Sequence, residues 1–262
     1  MHNFSRVCAL AIAVCGVLGT PGRAYAQVDR WKVDVAPLYF WAATTDGNLA
    51  INGTRDIPVY MDFDDAKSKL AGAFSFHGEA RKGQWGMLGD INFIRLSTDV
   101  SYTTPIINAP IAGTLQLDQI IFNAKVAYEV KPGSQFHVVG GIRTLTMSPN
   151  AHFTGPVGGQ LADVDISTTQ VAGVAGFIYR PRLGNKVVLF THADIGSAFT
   201  WSALGGIEFQ ITPWIGLAAG YGALRIDTGN VPKSGTAVVS DLQYAVTQYG
   251  PAFSLTFHWA QK

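Results

Sequence analysis

From Phe74 to Phe93 polar and apolar positions alternate with a period of two. Ser75, His77, Glu79 and Arg81 share one face of the first run, and Phe74, Phe76, Gly78 and Ala80 share the other. After Lys82-Gly83-Gln84 the second run sets Trp85, Met87, Gly89, Ile91 and Phe93 against Gly86, Leu88, Asp90 and Asn92. Two such runs about a short Gly-containing turn predict an antiparallel hairpin. A soluble sandwich would turn its aromatics inward, whereas a membrane barrel puts apolar side chains in lipid and polar ones in a lumen. The hairpin alone fits either.

The same alternation recurs along the chain. Trp31, Val33, Val35, Pro37, Tyr39 and Trp41 oppose Lys32, Asp34, Ala36, Leu38 and Phe40. Aromatics at both ends of the first face are placed as two interfacial girdles would require, so that face is expected in lipid, with Pro37 tolerated through a local bulge. Further strands are expected over Leu115–Val130, Gln135–Met147, a stretch ending at Tyr179, Lys186–Gly196, a stretch from Trp201, a stretch from Ile215, and Leu242–Trp259. Outward residues include Ile120, Phe122, Val126, Phe136, Val138, Ile142, Val171, Ile207, Phe209 and Leu217; Gln119, Asn123, Lys125, Glu129, His137 and Arg143 point inward.

Connections alternate in length. Short turns follow Arg81, Val130, Tyr179 and Gln210, while residues 45–69, 101–114, 148–165 and 228–240 form long polar or Gly/Pro-rich links expected as outer loops. Short turns on one side, long loops on the other and an even strand number describe a bacterial membrane barrel. The expected fold is all-β: one antiparallel up-and-down transmembrane β-barrel of about ten strands (range 8–12).

The N-terminal stretch agrees with export. Val7–Leu18 is apolar but short for a membrane span, and Ala24-Tyr25-Ala26 is a small-x-small cleavage site. Residues 1–26 are expected to be a signal peptide and 27–262 the barrel. Cys8 and Cys15 both fall in the leader, so the mature chain would hold no thiol and no disulfide. Removing Arg6 and Arg23 leaves 17 cations against 18 anions, a balance that offers nothing to nucleic acid. Charged residues make up 14% of the chain and glycines number 29, a composition suited to a lipid-facing sheet.

Two stretches carry a resemblance. Tyr249-Gly250-Pro251-Ala252-Phe253-Ser254-Leu255-Thr256-Phe257-His258-Trp259 resembles the aromatic-terminated last strand read by the barrel-assembly machinery. Trp31 with Pro37 and Trp41, Glu79 to Gly86 with Asp90, Asp194 with Gly196, and Gly220-Tyr221 are together similar to a group of small proteobacterial outer-membrane barrel proteins. The resemblance implies a fold and a location, the bacterial outer membrane, and no reaction. Its expected partners are outer-membrane lipid and, during biogenesis, the assembly machinery; the protein is expected to be a monomer without cofactor or metal.

The candidate lumen lining is His77, Glu79, Arg81, Asp90, Lys125, His137, Arg143, His192, Asp194 and Glu208, with Asp34 and Glu129 beside them. Buried charges must be paired, so this set reads either as a salt-bridged plug or as the wall of a narrow polar pore, with the plug favoured. A barrel enzyme, lipid-modifying or hydrolytic, is the rival class. Its candidates are Ser148 with His152 in a long loop, for which no orienting third group or oxyanion donor can be placed, and His192 with Asp194, two apart on one strand face as metal or acid–base partners would be. Asp62, Asp64 and Asp65 lack calcium-loop spacing and read as a solvated loop. A loop-borne binding or adhesive role is the third class.

Overall fold

The computed structural model describes residues 30–51, 57–103, 110–154, 160–165, 167–197, 200–227, 231–232 and 241–260. The expected leader and cleavage site lie outside the described residues. Fifteen strands and one helix follow in chain order: β1 Lys32–Trp41, β2 Thr44–Ile51, β3 Ile57–Met61, α1 Phe63–Lys69, β4 Leu70–Lys82, β5 Trp85–Thr103, β6 Pro110–Glu129, β7 Phe136–Thr154, β8 Gln160–Asp165, β9 Thr168–Tyr179, β10 Arg182–Leu183, β11 Val187–Gly196, β12 Trp201–Thr212, β13 Ile215–Asp227, β14 Val231–Pro232 and β15 Asp241–Ala260.

Ten of these close a barrel in the order β1-β4-β5-β6-β7-β9-β11-β12-β13-β15, and β15 returns to β1. Every pairing is antiparallel. The fold is therefore the up-and-down transmembrane barrel that the alternation predicts. Its outer surface carries the apolar row: Phe122, Val126, Ile142, Val171, Ile207, Phe209 and Leu217 are all exposed. Aromatics ring the short-turn end, where Trp85 packs on Tyr128 (4.9 Å between ring centres), Phe136 on Tyr179 and Phe257 on Trp259. Amphipathic rings at one level of a lipid-facing surface form an interfacial girdle.

The short turns are tight because their backbones allow it. Gly133 takes φ +79°, a left-handed conformation in which a Cβ would be strained. Gln135 beside it also has positive φ (60°), held by its own bonds: its N–H donates to Glu129 Oε1 (2.8 Å), and its Oε1 accepts from the Arg182 amide (3.0 Å).

Three expectations need correction. First, β1 does not keep one face. Its register against β15 shifts between Val35 and Leu38, at Pro37. An extra residue reverses the alternation beyond it. Leu38 (66% exposed) and Phe40 thus face lipid, while Tyr39 and Trp41 turn inward, with Trp41 Nε1 donating to Gly250 O (3.1 Å). Second, the long links are largely structured. Residues 44–51 continue β1 along β15 and fold back as β3, and β5 and β6 extend their hairpin from Thr103 to Pro110. β7 runs to Thr154 and pairs β8. At about 3.3 Å per residue the 19- and 20-residue strands exceed the height of the apolar band and stand clear of it. Third, the acidic cluster starts a helix: Asp62 caps α1, accepting from the Asp65 amide (2.8 Å), and Asp64 lies 3.5 Å from Lys67.

The interior also departs from a uniformly polar lumen. On β6 the inward row reads, from the short-turn end, Glu129, Ala127, Lys125, Asn123, Ile121, Gln119 and Leu117. Charge occupies the first half. In the second, Ile121, Leu145, Leu224, Ile226 and Val246 meet in an apolar cluster. A cluster of this kind inside a barrel is a packed core and leaves little room along the axis.

Candidate functional site

The charged half of the lumen is built around Asp194 on β11. Its carboxylate is fully buried, and Lys125 on β6 is 1% exposed. Lys125 Nζ donates to Asp194 Oδ2 (2.7 Å), and Arg143 Nη2 on β7 donates to both carboxylate oxygens (2.9 and 3.0 Å). Ser202 Oγ on β12 donates to Oδ2 (2.8 Å) and accepts from Arg143 Nη2 (3.0 Å). His192 Nε2 lies 3.1 Å from the carboxylate and 3.0 Å from Lys125 Nζ. Arg143 Nε is taken up by Asn123 Oδ1 (2.7 Å). β7 and β9 stand between β6 and β11 in the wall, so the Lys125–Asp194 contact crosses the interior.

A second tier sits nearer the short turns. Glu79 on β4 holds Arg180, which follows β9, and lies 3.1 Å from Arg81 Nε. Arg81 Nη2 donates to Asp34 Oδ2 (2.5 Å), whose other oxygen lies 2.8 Å from His258 Nδ1. Glu208 Oε1 lies 3.0 Å from the far nitrogen of that imidazole. His77 Nδ1 joins Asp90 Oδ1 at 2.5 Å between the tiers. Apolar side chains surround them: Leu88, Ala127, Val139 and Ile178 form a buried cluster at this level. In such a low-dielectric setting each charge needs its partner, and the chain supplies one at nearly every position.

The structure thus gathers His77, Glu79, Arg81, Asp90, Lys125, Arg143, His192, Asp194 and Glu208 into two connected groups. His137 is buried nearby, in register with Glu129, and its Nδ1 has no hydrogen-bond partner among the described residues. Arg180, Ser202 and His258 belong to the network though the sequence did not single them out. Arg180 sits in a turn beyond the last alternating residue, but the inward parity of His258 and Ser202 was readable.

The hydrolytic candidates come apart. Ser148 and His152 are four residues apart on one strand, about 13 Å along it, and Ser148 Oγ meets Ser167 Oγ (3.2 Å). His192 and Asp194 do touch, but Lys125 and Arg143 saturate the carboxylate and bury it. Among the described residues no group of three or more His, Asp or Glu side chains is arranged to hold a metal.

No family model matches the chain, and no curated protein matches it. Solved structures do. The translocator domain of the autotransporter NalP from Neisseria meningitidis is 12% identical, with 98% of this chain and 95% of that one covered and a TM-score of 0.47. The attachment invasion locus protein Ail of Yersinia pestis, solved with the heparin analogue sucrose octasulfate, is 12% identical over 88% of this chain and 98% of its own, with a TM-score of 0.33. A FadL homologue of Pseudomonas aeruginosa is 9% identical over 88% and 90%, with a TM-score of 0.31.

Proposed function

We propose that this protein is an outer-membrane barrel closed along its axis, in which the lumenal charges seal and brace the wall and conduct nothing. The observation that carries this reading is the Asp194 knot: one buried carboxylate bound by side chains from β6, β7, β11 and β12 across the interior. A conducting constriction lined by charge keeps its charged groups hydrated and available to ions. Here Lys125, Arg143 and Asp194 are desolvated and consumed by one another. The apolar cluster above, with Ile226 and Val246 almost wholly buried, adds a second barrier. The outward apolar row and the short-turn girdle support placement in the outer membrane, with the short turns in the periplasm.

Planar-bilayer recording tests this. Folded protein, verified by its heat-modifiable migration on a gel, should give no single-channel steps. Steps whose ion selectivity changes on Arg143→Ala would overturn the sealed reading in favour of a narrow pore.

A further inference from the structure

The wall is incomplete on one side. β4 stays bonded to β5 from Lys82 up to Leu70, and β1 stays bonded to β15 up to Trp41. The register between β1 and β4 is confined to Lys32–Ala36 against His77–Arg81. Above the Ala36–His77 rung the two strands have no register with each other, and the gap begins at Pro37, which has no amide hydrogen to lose. Over it sits α1, whose Phe63 ring meets Phe40 edge-on at 5.8 Å. The result is a side window in the lipid-facing wall.

A space of about 770 Å³, part of it a groove against Ile207, Phe209, Leu217 and Phe253 on the outer face, runs through this window. Outward-facing Leu38, Phe40 and Phe74 line it, and so do inward-facing Tyr39, Trp41 and Ile121, so the lining passes from one side of the wall to the other. The volume is that of a small-molecule site, typically ~300–1,000 Å³. Its mouth opens among outward-facing apolar side chains.

We infer that this window binds one acyl chain of a membrane lipid, the chain entering sideways while the head group stays at the outer rim. The inner polar groups include Tyr39, Ser75, Asn92 and the amides of Gln119 and Gln248, the last two bonded to each other at 3.2 and 3.3 Å. All are uncharged, so a charged head drawn inside would find no counter-charge and would lose its hydration. At the rim α1 presents both signs of charge, Lys67 lining the cavity with Asp64 3.5 Å from it, as a zwitterionic head group would need. An apolar channel with neutral depths and a charged lip matches a lipid in its ordinary orientation. This inference rests on the sealed lumen, because an open aqueous axis would flood the site.

Trp41 reports on the cavity from within. The chain has six tryptophans, so a variant retaining Trp41 alone, the others changed to Phe, would be placed in phosphatidylcholine vesicles whose acyl chains carry bromine, a short-range fluorescence quencher. The expected result is a fractional loss of Trp41 emission comparable with that of a variant retaining only lipid-facing Trp85. Ser75→Phe, which fills the cavity, should restore the Trp41 signal. If that variant does not fold, Ala66→Phe on α1, a helix with no buried residue, serves instead. Unquenched Trp41 overturns the proposal, as does quenching that a folded filler leaves unchanged. Quenching only when brominated free fatty acid is added to unbrominated vesicles overturns the lipid source and assigns the site to the free acid. A conducting barrel would sink the sealed reading and, by flooding the site, this one with it; unquenched Trp41 in a silent barrel would sink this one alone.

Discussion

Asp194→Ala is the most informative perturbation of the lumen. The carboxylate is fully buried and neutralises two cations, one of them itself 1% exposed. Its removal leaves Lys125 with only the His192 ring nitrogen at 3.0 Å, and Arg143 with Asn123 Oδ1 and Ser202 Oγ, all uncharged acceptors. Breaking a buried pair from one side costs about 3–5 kcal/mol, because the surviving charge stays desolvated. Two stranded cations put Asp194→Ala at the upper part of that range. Arg143→Ala should cost less, since Lys125 still answers the carboxylate. Lys125→Met with Arg143→Leu and Asp194→Leu should come back to within about 1–4 kcal/mol of the parent, on either side, because the whole group is replaced by apolar volume. Urea unfolding in micelles, followed by the gel shift of the folded barrel, measures all three. A loss below about 1 kcal/mol for Asp194→Ala, or a larger loss for Arg143→Ala, would falsify the reasoning, since either makes Asp194 dispensable to the knot.

Val126→Arg, at a lipid-facing residue 49% exposed, should destabilise by about 2–4 kcal/mol in the same assay if it lies near the midplane. The lumenal comparison with Asn123→Arg is not the milder one that its inward parity suggests. Asn123 accepts from Arg143 Nε, so a cation there meets a cation, and this variant too should unfold at lower urea. Gly141→Ala should cost about 1–3 kcal/mol, because its Cβ would fall 2.1 Å from Ala124 O, a backbone atom that cannot step aside. Asp62→Ala removes the cap of α1 and should weaken that helix by about 0.5–2 kcal/mol, seen as faster amide exchange at Asp65 with the barrel's unfolding midpoint unchanged.

Period-two alternation carries the faces of β5, β6, β7 and β13 because their outward rows are unbroken. It misleads on β1, where the residue that makes the bulge, Pro37, keeps the written pattern regular while the backbone reverses it. Tyr39 and Trp41 therefore read as girdle residues and stand inside. The apolar upper interior was illegible for a related reason: Leu224 and Ile226 alternate with Ala223 and Arg225, and nothing in the pattern says that apolar residues have taken the inner side. The charged members of the lumen were legible as types and parity, but not their partners, since Lys125–Asp194 and Arg180–Glu79 join strands that are not neighbours. The window was beyond any local pattern. It is a missing pairing between two strands each of which looks complete alone.

The brief register of β1 against β4 also makes a line of mechanical weakness. Every other junction around the barrel is a longer ladder than the one confined to Lys32–Ala36, and across this short one Asp34 and Arg81 bind at 2.5 Å. That pair works as a clasp at the foot of a slit. With the ladder and this pair closed, the opening is a bounded hole; with both released, the slit would run the full height of the wall and the tube would become a curled sheet with two bare edges. With fewer backbone bonds to break than any other junction, this short ladder and its clasp are where the tube would first unroll on heating.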